Sequence, residues 1–332
     1  MKILEMKDIT ALNAKESISG IVSIHSYSRG MTKGANSKPY INGKLNLKDG
    51  EYIDFKVWSN KDSSLVDILS KESLTGAIVV INATVDEYNG KKSLVVTTMG
   101  VPPEDFRIDE TDFYSKRYNK EAYLNALKSI VKNNVSDKGF ELASKILFDN
   151  KEICDRFSVE FAGISHHDNC LSGVLAHTYK CLCIMNTVLS MYPYLMYEEE
   201  NQGVVSQSRK DLYILGMLLH DIGKIQEMNM GVYQKKSCIT HRALGMEMLF
   251  PYKEDIIKIY GEDWYYKLLS ICLQHSHVYE DKAKTVFAYV TFLVDNMEST
   301  FTNLGQKFSN NEITVSDAGS TIFYDSDTRV VW

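Results

Sequence analysis

The spacing of apolar residues changes once along the chain, near residue 100. Before it, apolar and polar positions alternate with a period of two over residues 19–25, 40–47, 51–58 and 77–85, the pattern of strands with one buried face. Residues 85–96 read as a hairpin about Tyr88-Asn89-Gly90-Lys91, because Asn-Gly supplies the positive φ angles of a tight turn. Residues 64–70 fit a short helix ahead of the fourth strand. Strands in this order, with that helix, predict a small five-stranded Greek-key barrel of the OB type. Such barrels hold single-stranded nucleic acid by joining a basic groove to aromatic stacking platforms. Tyr27, Arg29, Lys33, Lys38, Tyr40, Lys56, Trp58 and Tyr88 have the side chains for that task, although strands are rich in Tyr and Trp for packing reasons alone. Residues 28–38 are polar, basic and glycine-bearing with no acid, and are expected to form a mobile loop able to close on a phosphate backbone.

Consecutive prolines, Pro102-Pro103, end the first pattern, since neither strand nor helix continues through them. Beyond them apolar residues recur every three or four positions over 119–131, 138–148, 171–189, 211–219, 241–250, 264–275 and 285–297, which predicts helices. Residues 197–209 are polar without a period and read as an exposed loop. Near the end, 320–324 and 328–332 flank Asp325-Ser326-Asp327 as the arms of a hairpin. The expected fold class is therefore a multidomain α+β chain. It has a barrel domain over 1–100, a linker over 101–118, an all-α domain over 119–300, and a tail over 301–332 with a short C-terminal β-hairpin.

Composition narrows the class. The 332 residues, 44% hydrophobic, suffice for two packed domains, and no apolar run approaches the roughly 20 residues that span a bilayer. No membrane partner is expected. The first residues carry charges where a signal peptide has its apolar core, so a cytoplasmic chain is expected. Six cysteines without Cys-x-x-Cys spacing read as reduced, mostly core residues. A net charge of −6 argues against non-specific coating of nucleic acid. The first hundred residues hold 13 basic and 11 acidic side chains and the rest 24 and 32, so the acidity lies in the helical part.

Chemistry concentrates at Leu219-His220-Asp221-Ile222-Gly223-Lys224, where an apolar helix runs directly into two metal-capable side chains. Neighbours on a helix diverge by about 100°, so His220 and Asp221 can bracket one ion or reach two side by side. Further donors lie in or beside helix-like stretches: His177, His241, His275, His277 and Asp295. Singly, each is more often a core residue. As an ordered set in one helical domain they supply enough donors to cage one or two first-row metals. Mixed imidazole and carboxylate donors favour Mn²⁺, Fe²⁺, Co²⁺, Ni²⁺ or Zn²⁺ over a dedicated Mg²⁺ site.

The order His177-Thr178, His220-Asp221-Ile222-Gly223-Lys224, His241, His275-Ser276-His277 and Asp295 resembles the HD-domain metal-dependent phosphohydrolase superfamily. The block from Ile164 to Thr178, with His166-His167, a small-residue turn and Leu175-Ala176-His177-Thr178, is similar to YhaM-type 3′-to-5′ exoribonucleases, which also place an OB-type barrel before an HD domain. Two departures stand out: Ser172-Gly173 replaces a glycine pair, and Ser276 separates His275 from His277. The resemblance implies that His177, His220, Asp221 and Asp295 form a primary metal site. It implies a second ion, Mn²⁺ foremost, held by His241 with His275 or His277 and bridged by Asp221. A bridging Asp221 is not free to act as a base, Lys224 would neutralise the scissile phosphate or orient Asp221, and His166 or His167 would contact phosphate or protonate the leaving oxygen. Asp168 is expected to cap the helix that follows.

These expectations combine into a metal-dependent 3′-to-5′ exonuclease of single-stranded RNA, and of single-stranded DNA as a further substrate, releasing nucleoside 5′-monophosphates. The resemblance also implies a homo-oligomer. Two rivals are an HD phosphohydrolase of free or cyclic nucleotides, which needs no barrel, and a nucleic-acid-binding protein with an inactive HD domain, which needs no intact donor set.

Overall fold

The computed structural model describes residues 1–33, 36–59, 63–163, 168–198, 203–275, 282–309, 314–315 and 321–322. Chain contacts divide it into two compact units, Met1–Arg117 and Tyr118–Trp332. Residues 101–117, which the sequence reading gives to a linker, belong to the first unit and bury Phe113 there.

In the first unit a short helix α1 (Met6–Thr10) precedes strands β1 (Ser17–Met31), β2 (Pro39–Asn46) and β3 (Tyr52–Trp58), helix α2 (Ser63–Lys71), and strands β4 (Ile78–Tyr88) and β5 (Lys91–Gly100). The strands close in the order β1-β2-β3-β5-β4, with β3 parallel to β5 and the other pairs antiparallel. This is the predicted five-stranded barrel, with the helix in the predicted place. Strand β3 shows why it closes: Ile53, Phe55 and Val57 point into the core while Tyr52 and Asp54 face out. Asn89 and Gly90 both take positive φ, as the Asn-Gly hairpin requires.

The expected mobile loop over 28–38 is shorter than its composition suggested. Ser28, Arg29, Gly30 and Met31 extend β1 and pair with Asn42, Ile41, Tyr40 and Pro39, and Gly34 and Ala35 lie outside the described residues. Gly30 makes this pairing fit, because a Cβ there would lie 2.5 Å from the Tyr40 ring.

The second unit contains α3 (Lys120–Asn134), α4 (Asp137–Ala143), α5 (Lys151–Phe157), α6 (Gly173–Met191), α7 (Gln207–Leu219), α8 (Lys224–Glu227), α9 (His241–Leu249), α10 (Lys253–Tyr260), α11 (Glu262–Gln274) and α12 (Val286–Ser309). It is not purely helical: β6 (Met228–Asn229) and β7 (Val232–Tyr233) form a small hairpin. The buried Glu160 carboxylate holds its turn, accepting the backbone N–H groups of Met230 at 3.1 Å and Gly231 at 2.9 Å. At the C-terminal end Thr321-Ile322 forms a strand, β9, paired with the upstream β8 (Thr314–Val315), a pairing that does not bear on the expected second arm over 328–332. Those last residues lie outside the described ones. None of the described helices is long and apolar enough to cross a membrane.

Helix α7 is the axis of this unit. Every residue from Asp211 to Leu219 is buried, as expected of a helix apolar on all sides, and α6, α11 and α12 pack around it. Its one buried charge is Asp211. That carboxylate accepts from Ser136 N–H at 2.9 Å, the Ser136 hydroxyl, the Tyr260 hydroxyl at 2.6 Å and Gln207 Nε2 at 2.7 Å, tying the α3–α4 turn and α10 to α7. Asp211→Ala strands these donors and is expected to cost about 3 kcal/mol or more. In thermal unfolding this should appear as a midpoint lower by roughly 6–12 °C.

Candidate functional site

The buried end of α7 delivers the site. After Leu219 the chain leaves the helix through a tight turn, with Ile222 N–H donating to Leu219 O at 3.1 Å and Lys224 N–H to Asp221 O at 3.0 Å. Gly223 sits in this turn against the first residue of α9. A Cβ there would lie 1.9 Å from His241 O, so only glycine lets α9 bring His241 up to Asp221. A similar contact seats α6: a Cβ on Gly173 would lie 2.1 Å from Asp168 O.

Two donor clusters share Asp221. Its Oδ2 lies 3.6 Å from His177 Nε2 and 3.5 Å from His220 Nε2, while Asp295 Oδ1 lies 3.1 Å and 3.9 Å from the same two nitrogens. Its Oδ1 faces the other way, 3.6 Å from His241 Nε2 and 3.7 Å from His275 Nε2. The structure thus brings His177, His220, Asp221, His241, His275 and Asp295 together. His277, His166 and His167 lie outside the described residues.

All four imidazoles are held in the same sense. Nδ1 of His220 donates to Met217 O at 2.8 Å and Nδ1 of His275 to Ile271 O at 3.0 Å. Nδ1 of His241 meets Glu227 Oε2 at 3.1 Å, and Nδ1 of His177 meets Glu298 Oε2. Every Nε2 therefore points at the carboxylates. Imidazoles whose outer nitrogen is fixed by a carbonyl or carboxylate, leaving the inner one free, are the usual arrangement of metal ligands.

A cation fits this donor set. The Nε2 of His220 is wholly buried and has no hydrogen-bond partner among the described residues. Its outer nitrogen carries the proton, so its lone pair faces two carboxylates, an arrangement that a bound cation would reconcile. Donors on one ion at about 2.1 Å lie roughly 3–3.5 Å apart, close to the separations above. Burial pushes the His220 pKa down to about 4, keeping that lone pair available. Burial also opposes the charge of Asp221, but Lys224 and the surrounding imidazoles hold it well below the ordinary carboxylate range.

Lys224 is not a free cation. Its Nζ lies 2.7 Å from Asp221 Oδ2 and donates to Ala162 O at 2.6 Å. Asp168 does not cap α6. It is buried, accepts from the Tyr118 hydroxyl and pairs with Lys180 at 2.8 Å; Lys180 also reaches Glu298 at 2.5 Å. Glu227, Glu298 and Lys180 are functional candidates that the sequence reading missed. For Glu298 a signal existed, since it follows Asp295 by one helical turn. Glu227 touches His241 only through the fold.

In the barrel, even-numbered residues of β2 and β3 lie on one side of the sheet, covered only at Asn46. Tyr40 pairs with Trp58, Asn42 with Lys56, Lys44 with Asp54 and Asn46 with Tyr52. The Tyr40 and Trp58 rings lie 5.0 Å apart, and Lys56 Nζ stands 5.8 Å from the Trp58 ring. At the other end Lys44 covers Tyr52 at 4.2 Å and His25 stacks on it. Of the predicted contacts, this face gathers Tyr40, Lys56 and Trp58 and adds Lys44 and Tyr52. Tyr27 is instead tied to the barrel, its hydroxyl bonded to Glu72 O and Leu74 N–H. Arg29, Lys33 and Lys38 are exposed along the β1–β2 hairpin, and Tyr88 at the tip of β4–β5.

No family model matches the chain. Among curated proteins, "3′-5′ exoribonuclease YhaM" of Oceanobacillus iheyensis is 23% identical over 231 residues, 69% of this chain and 65% of that one. The proteins of the same name from Listeria welshimeri and Bacillus subtilis are 23% and 24% identical over 59% and 60% of this chain. The chain is similar to YhaM-type exoribonucleases. The matched region spans 56–65% of the length of these YhaM relatives. Among solved structures, the mitochondrial single-stranded DNA binding protein Rim1 from S. cerevisiae is 17% identical, with a TM-score of 0.22, over 26% of this chain and 95% of that one.

Replacing Glu298 by Gln removes the carboxylate that fixes His177. Calorimetric titration of metal-stripped protein with Mn²⁺ should then show affinity weakened about 10–100-fold.

Proposed function

We propose that the chain is a cytoplasmic, HD-type, metal-dependent 3′-to-5′ exonuclease that hydrolyses single-stranded RNA, and single-stranded DNA as well, to nucleoside 5′-monophosphates. The observation that carries this reading is Asp221, whose two oxygens face separate imidazole clusters. Similarity to proteins named 3′-5′ exoribonuclease supports the reaction class. The fit of a divalent transition ion, Mn²⁺ foremost, supports metal dependence.

In this reading His177, His220, Asp221 and Asp295 would hold one ion, and Asp221, His241 and His275 would hold a second. When bound, such ions act as Lewis acids toward phosphoryl oxygens and lower the pKa of water. Asp221 is committed to both clusters and to Lys224, so it is a ligand rather than a base. Lys224 restrains the carboxylate and places positive charge beside the scissile phosphate. His166 or His167 serves as the acid for the leaving oxygen. On the barrel, bases stack on Tyr40, Trp58 and Tyr52 while Lys44 and Lys56 meet the backbone, and Arg29, Lys33 and Lys38 extend the basic surface.

A single-stranded RNA labelled at its 5′ end should shorten from the 3′ end when metal-stripped protein is supplied with Mn²⁺. Asp221→Asn should reduce the rate by more than roughly 100-fold. A ladder that persists in that variant would refute the site. Tyr40→Ala with Trp58→Ala should weaken binding of a long strand by about 1–3 kcal/mol per stacked base, raising its KM, while cleavage of a dinucleotide is unchanged. An equal loss on both substrates would remove the barrel from substrate binding.

A further inference from the structure

Among the described donors, the two that reach solvent are His241 and Asp295. Their side chains are 25% and 23% exposed, whereas those of His177, His220, Asp221 and His275 are 0–4% exposed. A substrate phosphate therefore meets the centre from the side where α9 begins and α12 passes.

These two rims differ in charge. Helix α12 carries no basic residue from Val286 to Gly305. The other rim is residues 234–240, a largely exposed segment that ends directly at His241. It carries Lys235 and Lys236, and no acidic residue occurs between Glu227 and Glu247. Over residues 101–332 as a whole acids outnumber bases 32 to 24, so the positive charge is local.

Glu227 closes this segment into a loop. Its main-chain carbonyl accepts the Gln234 N–H at 2.9 Å, and its carboxylate accepts the His241 N–H at 3.2 Å while meeting the His241 ring at 3.1 Å. One residue thus orients a metal donor and fixes both ends of the loop. The frame beneath is tied as well. Glu160 holds the β6–β7 turn that leads into the loop, and the Arg156 guanidinium donates to Ile225 O and to Met228 O. Lys236 Nζ donates to Gln226 Oε1 at 3.0 Å, a neutral partner that leaves its charge intact. Lys235 is exposed and has no carboxylate partner among the described residues. Two ammonium groups therefore stand without counter-charge on a fixed loop at the entrance to the donor cluster.

We propose that this loop is a phosphate-binding subsite of the helical unit, in which Lys235 and Lys236 take the phosphate next to the scissile one on its 5′ side. This role rests on the exonuclease reading of the site, and it is separate from the basic surface of the barrel. The polarity follows from the chemistry. A nucleotide removed from a 3′ end carries the scissile phosphate on its own 5′ oxygen and ends in a free hydroxyl. The nearest further phosphate therefore lies on the retained strand. Ammonium groups held there grip each shortened strand through its backbone, whatever its bases.

Two dinucleotides, UpU and pUpU, test this role on the full chain loaded with Mn²⁺. They share the scissile bond and both bases and differ by a 5′-phosphate, which occupies the proposed subsite. A charge-assisted contact of this kind should raise kcat/KM for pUpU over UpU about tenfold or more. Lys235→Ala with Lys236→Ala should reduce that ratio to below about threefold, chiefly through KM, because both phosphate contacts are gone. Lys235→Arg with Lys236→Arg should keep most of it. Melting temperature and Mn²⁺ content should be the same in all three proteins. Equal turnover of UpU and pUpU by the unaltered protein, or a pUpU advantage that survives the alanine pair, would overturn the subsite and leave the reaction standing. Cleavage of neither dinucleotide, with Mn²⁺ bound, would refute the reaction and the subsite with it.

Discussion

The arrangement of the second unit depends on burying one carboxylate between four imidazoles. Asp221 is almost wholly excluded from solvent, a costly position for a charge unless positive groups surround it. Lys224 supplies one such group. The surrounding imidazoles contribute as well, and a cation held among them would complete the compensation. Much of the surrounding architecture serves this requirement: α7 is buried throughout to carry His220 and Asp221 inward, and Gly223 admits α9 at backbone contact distance.

The supporting groups divide by their own surroundings. His220 and His275 follow directly from the ends of helices, where free carbonyls one turn back are available to their Nδ1 atoms. His177 lies within α6, whose carbonyls are already engaged, and His241 opens α9. Neither has a spare carbonyl behind it, and each is oriented by a carboxylate, Glu298 or Glu227. The Glu298 carboxylate is in turn held by Lys180, which also holds Asp168 near the start of the same helix.

Much of this was legible in the sequence because it rests on local periodicity. Strand β3 and helix α7 declare themselves by their apolar patterns, and the adjacency of His220 and Asp221 at the end of an apolar run identifies the centre. What stayed hidden depends on partners distant in sequence. Strand β1 continues through Ser28, Arg29 and Gly30 only because β2 lies opposite, and those residues alone favour a loop. The β6–β7 hairpin is two residues per strand and exists because Glu160 fixes its turn. Thr321-Ile322 has strand character, but nothing within it announces the pairing with Thr314-Val315. Glu227 reaches His241 through the packing of α8 against α9, which no sequence spacing encodes.

The donors are also far apart along the chain; the contact between His177 and Glu298 spans 121 residues. Closing so long a loop costs entropy that is recovered only when α6, α7, α9, α11 and α12 are all docked. The donor cluster is thus among the last features to assemble as the chain folds. A cation bound among these donors would act as a final latch, and a chain folding without it would stay longest in a state whose α12 is undocked and open to proteases.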